Sequence, residues 1–226
     1  MSATRVHILP LGIDNCYLLQ GDGCVLVDGG APGQEHRFFD QMATLGVPPE
    51  RISLIVLTHA HWDHIGCARA LTKATGARLA VHGRERDIVV NGRKSMPPAS
   101  TLWGIVFGAV LRAFLPFIKV EPVAVDIEIG DDGMDLAPYG VNARVVYTPG
   151  HSPGSISVVL DSGEACVGDL AMNGLPLTFG PNLPIFADDM KTVRASWRKL
   201  LQLGVATIYP AHGRPFPVSS IEKRLT

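Results

Sequence analysis

The chain has 226 residues, enough for one large domain or two small halves that share a core. A hydrophobic fraction of 46% with only 18% charged residues excludes a disordered or fibrous protein. The formal net charge of −1 carries no broad electrostatic bias, so no nucleic-acid partner is expected.

In chain order, residues 5–9, 16–20 and 24–28 predict short strands, the last closed by Gly29 and Gly30. A helix is expected over about 33–45, stopped by Gly46 and the Pro48-Pro49 pair. The opening residues lack the long apolar core of a signal peptide, and Cys16, Cys24, Cys67 and Cys166 form no Cys-x-x-Cys pair. A cytoplasmic protein with reduced cysteines is expected.

The apolar, β-branched run 52–57 predicts a buried strand, and apolar Ile65, Ala68, Leu71 and Ala74 predict a helix over 64–75. Between them, residues 57–66 read Leu-Thr-His-Ala-His-Trp-Asp-His-Ile-Gly, which crowds His59, His61, Asp63 and His64 into one turn. Imidazole and carboxylate ligate divalent zinc, iron or manganese, and a bent loop can aim alternate side chains at two neighbouring ions. A strand at 78–82 and a loop over 91–100 follow.

Segment 101–118 is apolar almost all round, yet Arg112 and Pro116 interrupt it. It is slightly short for a membrane span of about 20 residues. A buried helix, a lid over a pocket, the interface of a homodimer and a membrane contact are all compatible with it. Beyond it, strands are expected at 124–129, 143–148, 155–160, 164–167 and 207–209, with a helix over about 190–203. The pattern describes a single domain over 1–226, made of two similar α/β halves, roughly 1–120 and 121–226, with an apolar insert near 95–120. The halves would pack sheet to sheet, with a site where the strands end.

Three further stretches present a ligand after an apolar strand. Thr-Pro-Gly-His-Ser-Pro-Gly-Ser over 148–155 places His151 in a turn fixed by glycine and proline; Gly168 precedes Asp169; and His212 follows Pro210 and Ala211. His7, His36 and His82 have no comparable setting and read as ordinary surface or core residues. Asp131, Asp132 and Asp135 lack the spacing of a calcium loop and read as a solvated turn.

These motifs, with the early Asp28-Gly29-Gly30 strand end, resemble the metallo-β-lactamase superfamily over nearly the whole chain. The resemblance implies a four-layer αββα sandwich. It implies two divalent metal ions, with zinc expected and iron or manganese as alternatives. His59, His61 and His151 would hold the first ion, Asp63, His64 and His212 the second, and Asp169 would bridge them; Asp28 would buttress the metal loops. The implied chemistry is hydrolysis of a small molecule (an ester, lactone or thioester) by a metal-bridging hydroxide, with Asp63 also handling a proton.

Departures narrow the branch. Zinc β-lactamases generally lack the bridging aspartate that Asp169 supplies. Flavin-linked di-iron reductases usually carry glutamate where His61 stands, and RNA-processing members carry extra domains or basic arms. The metal motifs are similar to those of glyoxalase II, although Gly168-Asp-Leu-Ala-Met-Asn-Gly departs from its usual sequence. They are also similar to those of acyl-homoserine lactonases, whose catalytic tyrosine has no assigned match, Tyr147 and Tyr209 both being compatible with the core. A glyoxalase II or lactonase-like hydrolase is therefore expected, with Trp103, Phe107 and Phe114 forming an apolar wall for a lipophilic substrate. The alternatives are a mononuclear iron oxidoreductase of the persulfide dioxygenase type, a phosphodiesterase of the same fold, and a membrane-surface or partner-binding protein with structural metals.

Overall fold

In the computed structural model, which describes residues 2–225, the chain opens with three strands, β1 (Arg5–Pro10), β2 (Asn15–Gln20) and β3 (Cys24–Val27). They pair antiparallel in sequence order. Helix α1 (Glu35–Leu45) then returns the chain to β4 (Ile52–Val56), which pairs parallel with β3. Strand alternation sets the layers, because successive side chains point to opposite faces. Cys24 and Leu26 of β3 pack outward with Phe38 and Met42 of α1, whereas Val25 and Val27 face the other way.

The helix expected over 64–75 is broken in two: α2 (Trp62–Ile65) starts earlier, and α3 (Ala68–Thr75) resumes after Gly66 and Cys67. The loop after β3 causes the break. Gly29 donates its N–H to the His64 carbonyl, and the Cys67 N–H turns to the carbonyls of Gly29 and Gly30. A Cβ on Gly66 would lie 2.2 Å from the Pro32 nitrogen, so only glycine admits this approach.

Strand β5 (Arg78–His82) and helix α4 (Arg86–Asn91) follow, the helix falling in a stretch with no predicted element. The apolar segment forms α5 (Leu102–Phe114), which starts on Thr101, whose side chain accepts from the Gly104 N–H at 2.9 Å; one tight turn at Leu115–Phe117 follows. No helix among the described residues is long and apolar enough to cross a membrane. Strand β6 (Ile127–Ile129) pairs parallel with β5 and completes a six-stranded sheet in the order β1 to β6.

The second sheet comprises β7 (Met134–Asp135), β8 (Ala143–Tyr147), β9 (Ile156–Leu160), β10 (Glu164–Asn173), β11 (Pro181–Asn182), β12 (Thr207–Gly213) and β13 (Phe216–Pro217). Its order is β13-β12-β10-β9-β8-β7, with β11 on β10. Helix α6 (Met190–Gln202) covers its outer face, where Trp197 and Leu200 pack with Ala165 and Val167. Val25, Val27, Leu54 and Val56 of the first sheet meet Val145, Val158 and Cys166 of the second. The layers are therefore helix, sheet, sheet, helix, as expected.

Two strands run further than the sequence indicated. Gly168 and Pro210 read as strand breakers, but β10 and β12 extend past them side by side and pair Met172 with His212. The ladder is irregular at Gly168 and Pro210, where proline has no N–H to give. Asp169 and His212 therefore lie within paired strands rather than in loops beyond them.

Candidate metal centre

All seven residues singled out as ligands converge. His59 Nε2, His61 Nδ1 and His151 Nε2 lie 2.9–3.2 Å from one another. Asp63, His64 and His212 form a second group, with His212 Nε2 at 3.5 Å from Asp63 Oδ2. Asp169 touches both: Oδ2 is 3.5 Å from His151 Nε2, and Oδ1 is 3.4 Å from His64 Nε2 and 3.3 Å from His212 Nε2.

The far nitrogens explain why the rings point this way. His64 Nδ1 donates to Asp28 at 3.0 Å, His151 Nδ1 to the Phe186 carbonyl at 2.8 Å, and His212 Nδ1 to the Ile13 carbonyl at 3.0 Å. His59 Nδ1 faces the Thr58 hydroxyl at 3.1 Å. With each Nδ1 so engaged, Nε2 carries the lone pair that a metal takes. Asp28 also accepts from the Thr58 N–H at 2.7 Å and from its hydroxyl. It does so from a left-handed backbone, φ 66°, which aspartate tolerates better than most residues. Thr58 in turn sits against Gly168, where a Cβ would meet its hydroxyl at 2.5 Å, so glycine is required for the two ligand loops to close.

Electrostatics divides the histidines. Burial pushes His59 and His151 below the ordinary imidazole value, and His61 down to about 3, which keeps them neutral. Burial opposes charge on His64 and His212 as well, but Asp28 and Asp169 outweigh it at His64, as Asp169 and Asp63 do at His212, and raise both. Asp169 is held well below the usual carboxylate range, its burial overcome by His212 and His64. His64 Nε2 and Asp169 Oδ1 are nevertheless buried without a hydrogen-bond partner among the described residues. Buried polar atoms are rarely left so, and five imidazoles with two carboxylates are a donor set for divalent transition metals. The residues present fit such ions.

Two participants carried no sequence signal. Glu85, buried just after β5, accepts from the Ala60 N–H at 3.2 Å, the Ser152 hydroxyl at 2.7 Å and the Gly154 N–H at 2.8 Å. It thereby ties the His59–His61 loop to the His151 turn across the two sheets. Asp14 is buried near the second group with neither carboxylate oxygen hydrogen-bonded among the described residues, and burial raises it to about 8. Their partners are distant in sequence, and neither sits in a recognisable local motif.

A cleft of about 130 Å³ opens on the ligands. Its walls are Ile13, Trp62, Met96, Phe107, Leu111 and Phe186, and no lysine or arginine lines it. Of the three aromatics expected to form a substrate wall, Phe107 lines this cleft. Trp103 lies outside it, its indole N–H on the Pro176 carbonyl at 2.9 Å, and Phe114 is 61% exposed on the outer side of α5. Tyr147 stacks on His82, and Tyr209 packs edge-on to Tyr17; neither lines the cleft. His82 is thus a buried partner of Tyr147 and Asp131, and Asp131 pairs with Arg84 at 2.9 Å rather than serving only as a solvated turn.

The family model of the metallo-beta-lactamase superfamily matches residues 9–212, a span that includes every ligand above. The chain belongs to the metallo-β-lactamase superfamily. Within it, the chain is 26% identical over 249 residues to YflN of Bacillus subtilis, described as a probable metallo-hydrolase, covering 100% of this chain and 90% of that protein. It is 26% identical over 175 residues to a second probable metallo-hydrolase of that species, YqgX, covering 77% and 73%. Among solved structures, the archaeal superfamily protein ST1585 from Sulfolobus tokodaii shares the fold with a TM-score of 0.71 at 22% identity, over 100% of this chain and 85% of that one. The protein TTHA1623, solved in a di-iron-bound form, superposes with a TM-score of 0.66 at 24% identity, over 95% and 94%. The present superfamily member is accordingly a metal-dependent hydrolase.

Proposed function

We propose that the protein is a dinuclear hydrolase of uncharged, lipophilic esters, lactones or thioesters, of the glyoxalase II and lactonase-like kind, with zinc as the expected metal. The observation that carries this reading is Asp169, whose two oxygens face the two ligand groups separately. His59, His61 and His151 would hold one ion and Asp63, His64 and His212 the other, with Asp169 shared. When bound, such a pair of divalent ions lowers the pKa of a shared water towards neutrality and polarises an acyl oxygen.

The chain's own residues supply the rest. Asp63 lines the cleft beside His212 and would take a proton from the attacking water and return it to the leaving group. Asp28 and the three carbonyl-anchored or carboxylate-anchored Nδ1 groups fix the ring orientations, and Glu85 holds the two halves of the ligand set together. Phe107, Leu111, Met96 and Phe186 offer an apolar surface for an acyl chain. Beyond the ions it would hold, the cleft has no lysine or arginine to pair with a carboxylate or phosphate on the distal part of a substrate, which favours an acyl substrate whose far end is uncharged.

A panel of aryl esters, lactones, thioesters, phosphodiesters and β-lactams, assayed with zinc, manganese and iron, tests the reading. Turnover should concentrate on neutral acyl substrates with lengthening apolar chains. Preference for phosphodiesters or β-lactams would overturn it, as would oxygen uptake with the iron-loaded protein and a persulfide.

A further inference from the structure

Helix α5 has two apolar faces. Its inner face carries Phe107 and Leu111 over the cleft, with Gly104 and Gly108 pressed against the body: a Cβ at these glycines would meet the Ile185 carbonyl at 2.4 Å and the Phe186 ring at 3.0 Å. Its outer face is bare. Leu102 is 83% exposed, and Val106, Val110 and Phe114 continue the same stripe at four-residue intervals. The stripe is prolonged by Phe117, 81% exposed, and flanked by the loop tip that carries Leu175 and Phe179, which Trp103 joins to the helix through its bond to Pro176. An apolar surface of this kind marks a docking site.

The surrounding charge says what docks there. Residues 88–120 contain Arg93, Lys94, Arg112 and Lys119 and no aspartate or glutamate, and residues 170–187 contain no charged residue at all. Arg93, Arg112 and Lys119 are exposed and have no carboxylate partner among the described residues. Lys94 folds back on the carbonyls of Leu115 and Ile118 at 2.8 and 3.1 Å, which leaves its positive charge at the end of the stripe. A second copy docked face to face through the same segments would bring no carboxylate from them to these cations. The small-residue face that could pack two α5 helices together is already used within the molecule.

We infer that the outer face of α5, with the 175–179 loop tip, docks on a phospholipid surface bearing anionic headgroups. An apolar stripe flanked by lysine and arginine is the pattern of a helix that lies in the interface plane. Because the opposite face of the same helix walls the cleft, docking sets the cleft beside the lipid. Docking is independent of the metal chemistry proposed above.

The test is flotation of the metal-loaded 226-residue protein with vesicles of phosphatidylcholine alone or mixed with phosphatidylglycerol, accompanied by sedimentation velocity without lipid. The protein should float with the mixed vesicles, several-fold less with phosphatidylcholine alone, and less in high salt. Val106→Glu/Val110→Glu should abolish flotation while metal content and circular dichroism stay unchanged. Should that variant misfold, Arg112→Ala/Lys119→Ala, both at exposed side chains, should lower vesicle partitioning about fivefold per cation removed. Failure of the wild type to float, or flotation undiminished in the folded variants, would overturn the inference. So would a lipid-independent dimer that Val106→Glu/Val110→Glu dissociates.

Discussion

Asp28 and His64 stand 36 residues apart in sequence, yet His64 Nδ1 donates to the Asp28 carboxylate at 3.0 Å, fully buried. The same carboxylate receives the Thr58 N–H, so one side chain fixes both the ring of a ligand and the backbone that launches the ligand loop. Asp28→Asn tests that double duty, since asparagine accepts the left-handed backbone. Its amide can still accept from Thr58 but presents N–H to an N–H at His64. Metal affinity should fall about 10–100-fold, as it does when such supporting partners are lost. Titration of the metal-free variant with zinc measures it, and an unchanged affinity would show that Asp28 does not tune the ligand.

Asp169→Ala removes the carboxylate shared by the two ligand groups. Metal bound per chain should drop from about two towards one, and kcat/KM should fall by a hundredfold or more, as loss of several kcal/mol implies. Elemental analysis alongside kinetics reads both. Two tightly held ions in the variant would remove the bridging role.

Glu85→Ala leaves the Ala60 and Gly154 N–H groups and the Ser152 hydroxyl without their buried acceptor. Each unsatisfied donor costs about 1–3 kcal/mol, so the metal-free variant should lose at least about 2 kcal/mol of unfolding free energy. Urea denaturation gives the value. A smaller loss would mean that water replaces the carboxylate and that the two ligand loops are held together by the sheets alone.

What was legible in the sequence follows from how local each signal is. His59, His61, Asp63, His64 and the His151 turn announce themselves because scarce histidines sit beside glycine and proline. The layering was legible too, because β3 and β4 alternate or fill with β-branched residues according to the faces they bury. Glu85 and Asp14 were not legible: their roles depend on partners brought up by tertiary folding, and a lone carboxylate after a strand carries no periodicity. The extension of β10 and β12 was hidden for the same reason. Gly168 and Pro210 break strands in isolation, but placed opposite each other they sit between two register shifts, after which the ladder resumes. The apolar segment was located by composition, whereas only its helical phase divides Phe107 from Phe114.

Asp14 gives the metal-free protein a definite pH response. Its folded-state pKa of about 8 lies above the ordinary 3.8, because burial outweighs the pull of His64. Between these values the folded chain holds a proton that the unfolded chain has released, so this group removes stability as pH rises. The slope is at most about 1.4 kcal/mol per pH unit. Urea unfolding at pH 5 and pH 8 should show a larger loss for the wild type than for Asp14→Asn. Equal losses would place the proton elsewhere.

Phe107 and Phe114 lie seven residues apart on one helix, but only Phe107 faces the cleft, stacked at 6.4 Å from Phe186. If α5 shapes substrate choice, the two aromatics must behave differently. Phe107→Ala lengthens the apolar cavity, so the preferred acyl chain should grow by several carbons while activity on short esters falls. Each methylene accommodated or lost in such a pocket is worth on the order of 10–200-fold in kcat/KM. Phe114→Ala removes a similar side chain from the outer face and should leave the chain-length profile unchanged. A series of p-nitrophenyl esters of increasing length separates the outcomes. Parallel shifts in both variants would mean that α5 acts on the site through its stability, and no shift in either would move substrate selection to other lining residues such as Ile13 and Trp62.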